Sequence, residues 1–395
     1  MEPARRIKIP DLVKDWPFPR KMHPAVEQVK RANDEWTKTL GINSPELESA
    51  LARGRIALLS ALCYPDVPVA TLQWATDIMT VFLVFDEITD KLSGAQVDAL
   101  AATVEDVFEY VLLVLVLVLM LVLVLVLVLV LLLVLVLVLL LTPRRRATAG
   151  RGPHREIVPE VESTSSQLSL PSRTPTRQHH SFWTRARARA TPTFLEHFPE
   201  RCLAYVRSVA QQAHERDARC ERDIQAYLHQ RRQNAGVMPS FAILLHSLDI
   251  PAHVLRRRSG GVRDLEVLAG DMIILANDIC SYNVEQSRGD AHNAVAVLMR
   301  DAALPVQDAI EAVARMYGEA ATAFLREMDR AGAWDGAQTA DVRAYVLGLA
   351  NWVRGNFEMS FEVERYRLGP EARRGEWIAL LPGKGLGRAG EANAG

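Results

Sequence analysis

Asn277, Ser281 and Glu285, in the stretch Asn277-Asp278-Ile279-Cys280-Ser281-Tyr282-Asn283-Val284-Glu285, stand four and eight residues apart. On a helix that spacing puts an amide oxygen, a hydroxyl and a carboxylate in one stripe on one face. These are hard oxygen donors, suited to Mg²⁺ and poorly suited to Zn²⁺. The residues just before them, Leu265 to Ala276, are mostly apolar. A polar stripe on a helix that is otherwise buried needs a partner, and a metal ion supplies one. Any one of the three residues alone fits a capping or solvated position; all three at this spacing read as a metal site.

A second cluster lies far upstream. Val81-Phe82-Leu83-Val84-Phe85 runs straight into Asp86-Glu87-Ile88-Thr89-Asp90. Asp86 and Asp90 are one helical turn apart and share a face, with Glu87 beside them. Alone, an Asp-x-x-x-Asp pair is common on solvated helix ends. With the downstream stripe it becomes the other half of a site in which two helices hold divalent ions between them. Asp90 reads either as a ligand or as a hydrogen-bonding group behind one.

These motifs resemble those of the class I terpene synthases, specifically the fungal sesquiterpene synthases. Two further matches extend the resemblance. Arg231-Arg232, with Gly236 shortly after, resembles a diphosphate-sensing arginine followed by the glycine of a helix break; the spacing favours Arg232 and leaves Arg231 as the substitute. Arg365-Tyr366 resembles the pair that grips the diphosphate near the end of the fold. The continuation Gln286-Ser287-Arg288-Gly289-Asp290 is similar to mushroom-type members, the protoilludene synthase-like enzymes among them. The resemblance implies an all-α class I bundle and a cluster of three Mg²⁺ held by Asp86, Asp90, Asn277, Ser281 and Glu285. It implies farnesyl diphosphate as substrate, cyclised to a sesquiterpene. Asp86, Arg232, Arg365 and Tyr366 become the expected catalytic residues, with Phe82 and Gly236 in substrate binding. The planar guanidinium forks of Arg232 and Arg365 match phosphate oxygens. Phe82, one turn before Asp86, offers an aromatic face to a carbocation, as Phe85, Trp352 and Phe361 could. A chain-elongating prenyl diphosphate synthase would need a second Asp-rich motif where Asn277 to Glu285 stands.

Three departures from the family stand out. Val284 occupies a position where some relatives carry a lysine, and Met359 one where many carry an aromatic. The third is residues 111–180. From Val111 to Leu141 every residue is Leu or Val except Met120, mostly in alternation, and 142–180 is rich in Arg, Pro, Ser, Thr and His. Such low complexity carries little packing information. The apolar run is long enough to span a bilayer, although period-two Leu/Val alternation is no lipid-selected pattern. Three readings stand: translated non-coding sequence, a membrane helix, or an unusual soluble insertion. If the segment replaces a bundle helix, the product would be a catalytically inactive or membrane-tethered protein.

The elements that must position these residues read as helices. Apolar residues recur at three- and four-residue spacing over 24–39, 45–62, 69–90, 94–110, 194–230, 238–247, 262–286, 291–300, 305–329 and 338–364. Val/Thr/Ile strand runs bounded by hairpin turns are missing from the sequence. The expected organisation is one helical domain made of 1–110 and 181–368, the aberrant 111–180, and a disordered Gly- and Ala-rich tail over 369–395. Net charge is −1 over 395 residues, which gives no basic character for nucleic acid. Cys63, Cys202, Cys220 and Cys280 are scattered without a Cys-x-x-Cys pair, and Met1 to Arg6 begin no apolar signal segment. Both point to reduced thiols and a cytoplasmic location. Apart from 111–141 nothing reads as membranous, and the sequence leaves the oligomeric state open.

Overall fold

The computed structural model describes residues 6–383 except 42–43, 107–182, 184–185, 188, 219, 257–260 and 331–339. The expectations for 111–180 and for 384–395 fall outside the described residues. Everything below concerns the unit formed by Met1–Val104 and Ser181–Gly395. It is all-α. Among the described residues the strands amount to Arg6–Ile7 and Ile378–Ala379, an antiparallel pair with Arg6 opposite Ala379.

At the centre runs Val262–Arg288, 27 residues long and buried along most of its length. It packs against Val306–Arg330 on one side and Ala340–Ser360 on the other. Ala340–Ser360 in turn lies on Ile56–Cys63. Two glycines bring that helix close to its neighbours. A Cβ at Gly355 would sit 2.8 Å from the Leu62 carbonyl carbon and oxygen, and one at Gly348 would sit 2.7 Å from Leu244 Cδ1.

Val69–Thr89 is apolar enough in length and composition to cross a membrane, yet most of it is buried as a core helix. Its threonines bond back to the preceding turn, Thr76 to the Leu72 carbonyl at 2.8 Å and Thr80 to the Thr76 carbonyl at 2.9 Å. That satisfies hydroxyls which would otherwise be buried unpaired. The start signals are ordinary: Ser44 before Pro45, Thr191 before Pro192, and Asp223 before Ile224 each accept a backbone N–H in the first turn.

Three sequence expectations are corrected. The helix expected over 45–62 is two, Pro45–Gly54 and Ile56–Cys63, separated at Arg55 with φ 44°. Leu83 presses on Gly54, where an added Cβ would meet its Cδ2 at 2.7 Å, and the chain turns there. The helix expected over 194–230 is also two, Pro192–Asp217 and Ile224–Asn234. Asp223 caps the second, a stop-and-start signal hidden in a run of good helix formers. The tail expected to be disordered from 369 is ordered up to 383. Gly369–Arg373 is helical, and the strand Ile378–Ala379 leads to Leu381, whose N–H donates to Asn283 Oδ1 at 2.8 Å. Gln286 Nε2 donates to the Leu381 carbonyl at 2.8 Å, so this segment is fastened to the end of the central helix. Near the other end of the chain, Arg354 donates to the carbonyls of Val13, Trp16 and Phe18.

Glycine-to-alanine changes should therefore split by position. Gly355→Ala, meeting backbone that cannot yield, is expected to cost about 1–3 kcal/mol through overpacking. Gly318→Ala, in an exposed helix interior with nothing within 4 Å, should stabilise by about 0.5–1 kcal/mol. Chemical denaturation of the two variants checks both signs.

Candidate active site

Asp86 and Asp90 stand at the C-terminal end of Val69–Thr89, where the last helix carbonyls are themselves negative. Carboxylates there are electrostatically misplaced unless something positive faces them. Asn277, Ser281 and Glu285 lie toward the C-terminal half of Val262–Arg288. Asp86, Asp90, Asn277 and Glu285 border one cavity of about 260 Å³, together with Phe82, Arg231, Gly236, Arg365 and Tyr366. Behind this polar mouth the wall is hydrocarbon, formed by residues such as Met79, Leu83, Val209, Ile273 and Trp352.

The charges at the mouth are poorly compensated by the protein. Burial, opposed by the Tyr205 hydrogen bond, raises the Asp86 carboxyl to about 6. Burial, then the charge of Asp278, raises Glu285 to about 7. Asp90 is shifted upward by burial and by Asp290, which also borders the cavity. On the cationic side, Arg231 donates to Asn277 Oδ1 and Asp278 Oδ1, both at 3.4 Å, while its buried Nε has no acceptor among the described residues. The Arg365 guanidinium makes no hydrogen bond among the described residues. Tyr366 accepts from Asn277 Nδ2 at 2.8 Å.

These features fit divalent ions together with an anionic ligand. Among the described residues no three His, Cys, Asp or Glu side chains group to hold an ion by themselves. The oxygen donors are instead divided between two helices, as suits ions that also take oxygens from a bound anion. An orphaned guanidinium N–H fits that anion.

The structure separates the two arginines that the sequence presents as a pair. Arg232, favoured on spacing, turns away from the cavity and forms a two-pronged ion pair with Asp271 at 2.7 and 2.9 Å. Arg231 lines the cavity instead. Consecutive helix positions lie about 100° apart, so only one of two neighbouring arginines can face inward. Gly236 has φ 68° and joins Ile224–Asn234 to Val237–Leu244, as the expected helix break requires. Ser281, 4% exposed, stands behind the cavity wall and contacts the Asp278 carbonyl and Asn293 Nδ2, each at 3.5 Å. Phe85 packs into the cluster of Val97, Ala101 and Tyr205, and Phe361 meets Phe357 edge to face; neither borders the cavity. Met359 is buried outside the cavity lining, so it does not shape the contour as its sequence position implied.

Several site residues escaped sequence reasoning. Asp278, 1% exposed, accepts from the Tyr227 hydroxyl at 2.5 Å and from the Ala294 N–H at 2.9 Å, and so pins the turn after the central helix. Asn293 Nδ2 donates to Glu285 Oε2 at 2.9 Å and to the Asp278 carbonyl at 2.7 Å. His292 borders the cavity and burial lowers its pKa to about 3, so it is neutral. Nothing in spacing marked these residues; only the proximity of Asp278 and Asn293 to the metal stripe was a signal.

Comparison with known proteins agrees with this architecture. Residues 155–322 match the family model described as terpene synthase family 2, C-terminal metal binding, a span that starts inside the compositionally aberrant stretch. Delta(6)-protoilludene synthase 18 of Postia placenta (strain ATCC 44394 / Madison 698-R) is 31% identical over 378 residues, covering 95% of this chain and 93% of its own. Sesquiterpene synthase 14 of the same strain is 28% identical over 381 residues, covering 96% and 93%. In fold, the linalool/nerolidol synthase from Streptomyces clavuligerus, solved with 2-fluorogeranyl diphosphate, superposes with a TM-score of 0.64 at 17% identity, covering 89% of this chain and 99% of that one. With relatives named as protoilludene and sesquiterpene synthases, this helical bundle is a terpene cyclase. The chain belongs to the terpene synthase family and groups with its fungal, protoilludene synthase-like members.

The arginine assignment is directly testable. Arg231→Ala should lower kcat/KM by about 100-fold or more, the usual loss for a donor that meets developing charge. Arg232→Ala removes a partly exposed ion pair worth about 0–1 kcal/mol and should leave turnover within a few-fold of wild type. Steady-state kinetics of the two variants at one temperature reads the difference.

Proposed function

We propose that this protein, with Mg²⁺, ionises farnesyl diphosphate and cyclises the resulting cation to a sesquiterpene, releasing diphosphate. The observation that carries the reading is a single cavity bordered by carboxylates and arginines at the helix ends and, earlier on the same helices, by hydrocarbon side chains such as Met79, Leu83 and Ile273. Fifteen carbons is the length that the sesquiterpene-named relative points to.

Arg231, Arg365 and the Tyr366 hydroxyl hold the diphosphate in this reading. Asp86 and Asp90 from one helix, and Asn277, Ser281 and Glu285 from the other, hold Mg²⁺, three ions by the family resemblance. Bound there, the ions supply Lewis acidity that neutralises the leaving diphosphate. Ser281, off the cavity lining and bonded to Asp278 and Asn293, would complete this set only by swinging its hydroxyl toward the cavity. Once the diphosphate leaves, the hydrocarbon is a cation that water would quench. Met79, Leu83, Val209 and Ile273 exclude water, and the faces of Phe82 and Trp352 steady positive charge by about 0.5–2 kcal/mol each. Leu83, Val209 and Ile273 carry no lone pair with which to attack the cation. Delta(6)-protoilludene, printed in the name of a relative, is the first product to look for.

Purified protein incubated with farnesyl diphosphate and Mg²⁺ should release inorganic diphosphate and a volatile sesquiterpene, detected by gas chromatography with mass spectrometry. Chelation by EDTA should abolish both. Asn277→Ala should cut kcat/KM by about 100-fold or more while leaving the circular-dichroism spectrum unchanged. No turnover by the wild-type protein would remove the reading.

A further inference from the structure

Asp86 is held from behind by one side chain. Tyr205, on Pro192–Asp217 and 2% exposed, donates its hydroxyl to Asp86 Oδ1 at 2.5 Å. Asp86 Oδ2 takes no hydrogen bond among the described residues. The tyrosine ring is itself confined, with centroids 5.3 Å from Phe82 and 5.8 Å from Phe85, in a cluster that includes Val206 and Val209. A phenol packed this way can deliver its O–H to very few places. The same ring reaches the helix break, since a Cβ at Gly236 would stand 3.8 Å from Tyr205 Cε2. Tyr205 therefore touches the acidic motif, the cavity and the turn that follows Arg231.

We propose that Tyr205 is a positioning residue for metal binding: it occupies Asp86 Oδ1, fixes the carboxylate rotamer and leaves Oδ2 as the oxygen offered to an ion. The inference rests on the reading of Asp86 as a metal ligand. Partners that orient a ligand from outside commonly set metal affinity by about 10- to 100-fold. Glu285 has a comparable support in Asn293 Nδ2 at 2.9 Å, so each of the facing carboxylates is braced by a neutral donor.

The test is thermal unfolding of the full chain with inorganic diphosphate and increasing Mg²⁺. A ligand bound only by the folded state raises the unfolding temperature, so the wild type should shift upward with Mg²⁺. Tyr205→Phe, which removes a single hydroxyl, should need about 10- to 100-fold more Mg²⁺ for half of that shift. Its steady-state kinetics should show the same displacement in Mg²⁺ requirement, with kcat at saturating Mg²⁺ within about threefold of wild type. In the Asp86→Asn background, Tyr205→Phe should change the Mg²⁺ requirement no further, because interacting positions are non-additive. A tyrosine that serves only the core would lower stability equally in both backgrounds and leave the Mg²⁺ midpoint in place. An unchanged midpoint in Tyr205→Phe overturns the proposal. Absence of any Mg²⁺-dependent shift in the wild type overturns the metal reading beneath it, a failure told apart because it involves no variant.

Discussion

Four carboxylates, Asp86, Asp90, Glu285 and Asp290, border one cavity where, among the described residues, the facing cations are Arg231 and Arg365. Three of the four, Asp86, Asp90 and Glu285, stand in or beside the last turn of a helix, where the backbone is also negative. Burial pushes Asp86 and Glu285 toward neutrality, and their nearest ionisable neighbours include further acids. A surface so poor in compensation is costly in an empty protein. It becomes favourable when positive ions and a multiply charged anion enter together, since each then neutralises the other and both sides of the rim. The site is therefore built around its ligands.

Holding such groups in place needs a rigid frame, and that frame is neutral or internally paired. Tyr227, the Ala294 N–H and Arg231 converge on Asp278, the residue next to Asn277. Asn293 joins the following turn to Glu285. Below the cavity, Arg201 is bonded to Glu266 at 2.8 and 3.1 Å, and Tyr345 donates to the same carboxylate. These contacts tie Pro192–Asp217, Val262–Arg288 and Ala340–Ser360 together beneath the reacting groups. Buried pairs of this kind add little net stability but are expensive to break on one side only, which suits a scaffold that must keep its geometry.

The helical class was legible because apolar residues recur at helical spacing, and the oxygen stripes because their spacing is itself geometric. The breaks at Arg55 and at 218–223 were not, since the residues there suit a helix and tertiary contacts decide the turn. Choosing between Arg231 and Arg232 required the rotation of Ile224–Asn234 about its own axis, which a single polar helix with little amphipathic pattern does not disclose. Tyr205 looked like ordinary core because most of its surface is exactly that; one hydroxyl separates it from its neighbours. The ordered segment up to 383 escaped notice because its backbone is fastened by the side-chain amides of Asn283 and Gln286, and such bonds leave no mark in the segment's own composition.

Gly348 and Gly355 flank Trp352 at about one turn on either side, all toward one side of the same helix. Leu244 and the Leu62 backbone press into the spaces that these glycines leave open. At Gly355 the contact is with main chain, which no rotamer change can relax, while at Gly348 it is with the Leu244 side chain. A larger residue at 355 would therefore have to move a helix, whereas a change at Phe82, Val209 or Ile273, which border the cavity, alters its outline through side chains.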